Sequence, residues 1–293
     1  MPTETVYGLA ADAENPEAIS AIYSVKNRPS NHPLIVHIAS SSDVPYWAAT
    51  VPDYANELMR QFWPGPMTLI LPRSENAKDF ITGGQQTVGL RVPSHPVALE
   101  LLRTFKAQGG HGLAAPSANR YGAVSPTTAS AVELELSEFL APADLILDGG
   151  AAEVGVESTI VDCTGPNPAI LRPGAVTADQ IELCTGIVVT DPSDPGIRVS
   201  GSHKQHYSPR AQVVIGGSAQ SGEGLIASSA EPTDQGVIRL AAPESIEQYA
   251  RELYAAMRKA DELGLARLRI IPPEGAGLAI AIRDRITRAA AKG

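Results

Sequence analysis

Lys26-Asn27-Arg28-Pro29 sets two cations close together on a segment stiffened by Pro29 and Pro33. A guanidinium fork beside an ammonium point charge suits a polyphosphate or a carboxylate. The same spacing also fits cations that answer the dipole at a helix C-terminus. Thr3-Glu4-Thr5, flanked by Pro2 and Val6-Tyr7-Gly8-Leu9, reads as hydroxyls presented at the end of a strand or as a plain β-branched strand start. His37 sits in the apolar run Leu34 to Ile38, where a hydrogen-bonded core histidine is the commoner outcome. In Thr87-Val88-Gly89-Leu90-Arg91-Val92-Pro93, strand alternation puts Thr87, Gly89 and Arg91 on one face and the apolar set on the other. That pattern makes a pocket wall or an edge strand with a solvated arginine.

Residues 112–126 run from a short strand through Ala115-Pro116-Ser117-Ala118-Asn119 to Ser125-Pro126 and a helix starting near Thr127. Hydroxyls and backbone amides ahead of a helix can cradle phosphate, or can simply form a solvent loop with an N-cap. Glu157-Ser158-Thr159 and Leu171-Arg172-Pro173-Gly174 again put polar residues at the rims of apolar strands. The chain has no P-loop, dinucleotide fingerprint or nucleophile elbow, and no metal-type histidine spacing. Hydroxyl, Arg and Lys chemistry without a general-base dyad points to positioning and charge stabilisation, as in nucleotidyl transfer.

These residues need elements to hold them. Asn15-Pro16-Glu17 signals a helix start, and Ile19, Ile22 and Val25 carry it over 16–25. Strands are predicted at Leu34 to Ile38, Met67 to Leu71, Val88 to Val92 and Thr159 to Asp162, with helices near 53–62, 96–106 and 127–139. Successive strands without intervening helices predict a mixed rather than purely parallel sheet. Asp191-Pro192-Ser193-Asp194-Pro195-Gly196 and Ser200-Gly201-Ser202 mark a linker. Beyond it come strands at 213–215 and 236–238, a Gly/Ser-rich loop at 216–224, a helix over 244–263 and a strand at 268–271. A final helix spans 277–291. The 244–263 helix should bury Ile246, Tyr249, Leu253, Met257 and Leu263 on one side. The expected organisation is an α/β catalytic domain over 1–185, a linker or lid over 186–211 and a small C-terminal α/β, Rossmann-like domain over 212–293.

The chain has 293 residues, 43% of them apolar, which supports a packed core. Its formal net charge of -9 disfavours a broad nucleic-acid face, so no stable nucleic-acid complex is expected. Cys163 and Cys184 form neither a disulfide framework nor a zinc pattern, which fits a cytoplasmic protein. No run approaches the roughly eighteen apolar residues of a membrane span, and no secretory leader is seen.

Pro2 to Leu9, Lys26 to Ile38, Phe62-Trp63-Pro64-Gly65-Pro66-Met67-Thr68, Thr87 to Pro93, Ala115 to Asn119, Ser125-Pro126, Glu157-Ser158-Thr159 and Leu171 to Gly174, taken in order, resemble the YrdC-like family. His206-Tyr207-Ser208-Pro209 and the tail Gly277 to Arg285 resemble its long, two-domain threonylcarbamoyl-AMP synthases. The resemblance implies a YrdC-like mixed twisted sheet with flanking helices. It also implies a nucleotidyltransferase that joins L-threonine, bicarbonate and ATP into L-threonylcarbamoyl-adenylate and pyrophosphate, with Mg2+ accompanying ATP. The product would serve a downstream tRNA threonylcarbamoyl transferase complex.

Carried over residue by residue, the resemblance implies a threonine side of Thr5, His37, Arg91, Ala115 and Ser158. The implied nucleotide side is Arg28, His32, Thr87, Ser117, Ser125, Arg172 and Tyr207, with Lys26 and Arg28 as the catalytic cations. His32 stands where relatives usually carry Asn. Relatives also carry a helix and most of a strand ahead of Pro2, so the chain reads as N-terminally shortened, with a sheet edge left open. A non-catalytic RNA-binding module and a carbamoyl-transfer maturation factor are the competing readings. The net charge opposes the first, and missing zinc-finger segments oppose the second.

Overall fold

Asn15 starts the first helix, its side chain accepting from the amides of Glu17 and Ala18 while Pro16 takes a position that needs no amide hydrogen. The helix ends at Asn27, which adopts a left-handed φ of 50° and turns the chain so that the Arg28 amide bonds back to the Tyr23 carbonyl. Lys26 is thereby the last helical residue, and Arg28 the first to leave at an angle. The computed structural model describes residues 1–192, 196–201 and 207–291. Ser193 to Pro195, Ser202 to His206, Lys292 and Gly293 lie outside the described residues, and with them parts of the expected linker and its histidine.

The elements of the larger unit are β1 (Ala11–Asp12), α1 (Pro16–Lys26), β2 (Ile35–His37), α2 (Val44–Trp47), α3 (Asp53–Phe62), β3 (Met67–Pro72), α4 (Asp79–Thr82), β4 (Thr87–Arg91), α5 (Pro96–Ala107), β5 (Leu113–Ala114), α6 (Ala129–Leu136), β6 (Thr159–Asp162), β7 (Ala169–Arg172) and α7 (Ala178–Thr185). The strands form one sheet in the order β1-β5-β2-β4-β3-β6-β7. Pairs β2/β4 and β3/β6 are parallel and the other four are antiparallel, the mixed sheet expected from the sequence.

Alternation along β3 and β4 divides this sheet into two faces. Leu69, Leu71, Val88 and Leu90 pack with Ile19, Ile22, Trp47 and Leu58 from the helices, while Ile70 and Ile160 face the other way and pack with Val199 of the linker. Thr87, Gly89 and Arg91 share that second face.

The second unit contains β8 (Gln212–Ile215), β9 (Gly224–Ile226), β10 (Ile238–Ala241), α8 (Ile246–Glu262), β11 (Arg267–Ile270) and α9 (Leu278–Ala290). Its four strands are all parallel, in the order β10-β9-β11-β8. Tyr249, Leu253, Tyr254 and Met257 bury one stripe of α8.

Several expectations shift. Thr3 to Thr5 form a turn rather than a strand end, because the Thr3 hydroxyl donates to the Val6 carbonyl at 2.6 Å and accepts the Val6 amide at 3.2 Å. The predicted strand at 236–238 begins only at Ile238, since Gly236 turns at φ 81°. Strand β9 takes the end of the segment predicted as loop. Leu263 lies past the end of α8 and is 49% exposed, outside the apolar stripe assigned to it. No helix among the described residues is long and apolar enough to cross a membrane.

Candidate active site

Strands β2 and β4 run in register with His37 opposite Arg91, and β5 lies on the other side of β2 with Leu113 opposite His37. The Ala115 amide then bonds the Ile35 carbonyl at 3.1 Å, which brings Ala115 and Ser117 beside the same pair. From the opposite side come Ser158, at the start of β6, and Arg172, at the end of β7. The result is a narrow, partly open cavity with room for only about 50 Å³.

Of the thirteen residues expected at the site, nine line this one cavity: Thr5, Arg28, His37, Arg91, Ala115, Ser117, Ser158, Arg172 and Tyr207. Four do not. Lys26 is buried behind it, its ammonium donating to the Ser117 and Asn119 carbonyls at 2.5 and 2.6 Å. Burial and the neighbouring Arg28 charge hold its pKa well below an ordinary lysine's. Lys26 therefore clasps the loop that carries Ser117, and neither caps its own helix nor reaches the cavity. Ser125 stands one layer back, donating to Glu157 at 2.6 Å. Thr87 opens into an adjoining crevice with Gly89, Arg198 and Ser200. His32 packs its ring against Tyr121, with centroids 5.5 Å apart. The start of α6 also turns elsewhere: Thr127 and Thr128 line a separate groove, so only the Ala115–Ser117 part of the expected phosphate loop faces the cavity.

Three guanidiniums meet in this space under different constraints. Arg91 forms a buried ion pair with Glu4 at 2.7 Å, and its Nε donates to the Gly65 carbonyl at 3.2 Å. Its Nη1 remains as the donor for a ligand. Arg172 spreads its donors over the Ser158 carbonyl at 3.1 and 2.9 Å, the Ser158 hydroxyl at 3.1 Å and the Ser200 carbonyl at 2.8 Å. Arg28 donates to the Pro33 carbonyl at 2.8 Å and the Ser200 hydroxyl at 3.2 Å, and its buried Nε has no partner. Neither Arg28 nor Arg172 has a carboxylate within ion-pair distance among the described residues, and burial lowers the pKa of each. Buried charge is costly without compensation; Arg172 draws some from the Glu157 carboxylate, beyond ion-pair distance, and both guanidiniums keep the capacity to take an anion.

The other end is less charged. His37 is held neutral, its pKa pushed down to about 3 by burial and by the Arg91 charge, and its Nδ1 has no partner. Ser158 and Thr68 hydroxyls bond at 2.8 Å, and those of Thr3 and Thr5 at 2.9 Å. A neutral imidazole, hydroxyls and one free guanidinium edge suit a small polar carboxylate.

Glu4 and Glu157 stand at the candidate site, though the motif reading left both unassigned. Glu157 is the one carboxylate lining the cavity among the described residues, and Arg285 of α9 bonds it at 2.8 Å across 128 residues of chain. Nothing local in the sequence joins these two. A signal did exist: Glu157 and Arg285 each fall inside a quoted motif without a role.

The α/β scaffold and its inward-facing arginines define a small-molecule enzyme site built for anions. Residues 1–174 match the family described as "Telomere recombination" (Sua5, YciO and YrdC), and residues 176–291 match "Threonylcarbamoyl-AMP synthase, C-terminal domain". The chain belongs to this Sua5/YciO/YrdC family, in its two-domain form. It is similar to a protein from Pyrococcus abyssi called threonylcarbamoyl-AMP synthase, 36% identical over 312 residues covering 99% of this chain and 89% of that one. A Bacillus subtilis protein of the same name is 43% identical over 225 residues, 73% of this chain and 62% of that protein. The crystal structure of P. abyssi Sua5 complexed with L-threonine superposes with a TM-score of 0.85 at 34% identity, covering 99% of this chain and 89% of that one.

Proposed function

We propose that this chain is a threonylcarbamoyl-AMP synthase, a nucleotidyltransferase that forms L-threonylcarbamoyl-adenylate and pyrophosphate from L-threonine, bicarbonate and ATP. The observation that carries the reading is the division of one cavity: the buried guanidiniums of Arg28 and Arg172, with no carboxylate within ion-pair distance among the described residues, at one end, Arg91 and His37 at the other, and Ser158, bonded by Arg172, between them. In this reading Arg91 Nη1 takes the threonine carboxylate, while His37 and the hydroxyls of Thr5 and Ser158 hold the rest of the amino acid. The threonine amine forms an N–C bond with bicarbonate carbon and water leaves, giving a carbamate. A carbamate oxygen attacks the α-phosphorus, and the bond from that phosphorus to the departing pyrophosphate breaks. The attacking group is already anionic, so the residues needed are cations that neutralise converging charge rather than a strong base. Arg28 and Arg172 occupy that position.

Ser200 now bonds both Arg28 and Arg172, so a phosphate would replace it and the linker would act as a lid over the nucleotide. Magnesium finds no protein cage: no group of three or more His, Cys, Asp or Glu able to hold a metal occurs among the described residues, and Glu157 is committed to Ser125, Tyr254 and Arg285. The ion would therefore enter on the phosphates of ATP, as part of the substrate. Product release to a tRNA threonylcarbamoyl transferase complex in the cytoplasm completes the reading.

The test is pyrophosphate release from ATP, with threonine and bicarbonate each omitted in turn. Release that needs both is expected, and it should fall about 100-fold or more in Arg28→Ala. Release independent of threonine, or equal in the variant, rejects the assignment.

A further inference from the structure

The second unit sends two side chains to the back of the cavity. Glu157 Oε2 accepts from Tyr254 Oη at 2.9 Å and from Arg285 Nε at 2.8 Å, while its Oε1 accepts from Ser125 at 2.6 Å. Arg285 is fully buried, and its Nη2 bonds the Pro173 carbonyl at 3.0 Å, next to Arg172. Its guanidinium carbon also lies 5.3 Å from the ring centroid of Tyr207, and that ring stacks on Tyr254 with centroids 5.7 Å apart. Tyr207 itself has a left-handed φ of 60°, a conformation that a bulky residue keeps only where its surroundings impose it. Arg285 and Tyr254 are part of those surroundings. Gly201 closes the other side, where an added methyl would come within 2.2 Å of Tyr207 Oη.

We infer that Arg285 and Tyr254 are positioning residues for the nucleotide half of the site: through Glu157 and the Tyr207 ring they fix the wall beside Arg172, so the second unit sets nucleotide affinity without touching nucleotide. The inference rests on the proposed function in naming ATP as the ligand, but its test does not require turnover. Of the threonine half, Arg91, His37 and Ala115 lie on β4, β2 and the end of β5 and have no bond to Arg285 or Tyr254, and only Ser158, next to Glu157 and bonded by Arg172, adjoins their network. The two ligands should therefore respond differently.

The experiment titrates ATP and, separately, threonine into the full chain and into Arg285→Lys, Tyr254→Phe and Tyr249→Phe, reading Kd by calorimetry. Tyr249 lies on the same helix, but it bonds the Ile271 carbonyl at 3.0 Å and serves as the control for a general packing loss. The Kd for ATP should rise about tenfold in Arg285→Lys and about threefold in Tyr254→Phe, with the threonine Kd rising by a clearly smaller factor in each, through Ser158 alone, and both constants unchanged in Tyr249→Phe. Tyr254→Phe deletes one hydroxyl and keeps the test alive should Arg285→Lys fail to fold. Unchanged ATP affinity in Tyr254→Phe, parallel weakening of both ligands, or the same change in Tyr249→Phe overturns the inference. A wild-type chain that binds ATP in this pattern but releases no pyrophosphate overturns the proposed function alone.

Discussion

Replacing Glu4 by Gln keeps the shape of the Arg91 contact and removes its counter-charge. Both side chains are buried, at 5% and 4% exposure, and Glu4 Oε2 also accepts the Ser94 amide at 3.1 Å. Solvent does little to screen this pair, so stranding the Arg91 charge should cost about 3 kcal/mol of folding stability, the low end for breaking a buried ion pair, because the amide retains one hydrogen bond. In a chain of this length that corresponds to a fall in Tm of roughly 6 °C. Threonine should recover part of the loss, since its carboxylate supplies the missing negative charge beside Arg91. The assay is thermal unfolding with and without saturating threonine. The expected result is a lower Tm without ligand together with a larger threonine-induced upshift than in the wild type. An unchanged Tm, or a smaller upshift, would refute the reasoning that Glu4 balances a carboxylate-binding arginine.

Other outcomes follow from the same geometry. His37 is neutral when folded, at about 3 against an ordinary 6.5, so the unfolded chain takes up the extra proton below that value and stability falls as pH drops from 6.5. The wild type should lose about 1.4 kcal/mol per pH unit more than His37→Gln between roughly pH 6 and 4.5, measured by urea unfolding. Glu157 behaves as a depressed acid: burial alone would raise its pKa, but Arg285, Arg172 and the Ser125 bond bring it from 4.5 to about 2. Its contribution is present above pH 4.5 and lost as pH falls toward 2, so Glu157→Gln should flatten that acid limb of the unfolding curve. Gly155 combines φ 82° with a site where a methyl would lie 2.4 Å from the Ala250 carbonyl of α8, so Gly155→Ala should loosen the seam between the units. Hydrogen exchange should then rise on both sides of that seam while the cores of the sheets stay protected.

Much of the scaffold was legible because local chemistry and tertiary packing agree in it. Asn15, Pro16 and the Ile19/Ile22 spacing specify α1, and alternation along 87–93 placed Arg91 and Gly89 on one face before any partner was known. Strand β9 was hidden because Gly224-Leu225-Ile226 is short and follows glycines and serines, and only pairing with β10 and β11 makes it a strand. Helix α7 begins with a Thr177/Gln180 capping box, a readable signal that the linker-like composition nearby obscured. At the site, types and spacing marked cations and hydroxyls but not their duties. Lys26 was read as a catalytic cation and proves to be tied to two carbonyls behind the cavity, while Glu4 and Arg285 act through partners 87 and 128 residues away. Such pairs are fixed by the fold, and no local pattern encodes them.

In the proposed function one cavity holds an amino acid at one end and a nucleotide at the other. The measurement that reaches it most directly is the pair of KM values for threonine and ATP in Arg91→Gln and Arg28→Gln, followed by pyrophosphate release. Arg91→Gln should raise the threonine KM with little change for ATP, and Arg28→Gln should do the reverse. Both variants weakening the same substrate, or neither affecting either, would contradict that arrangement.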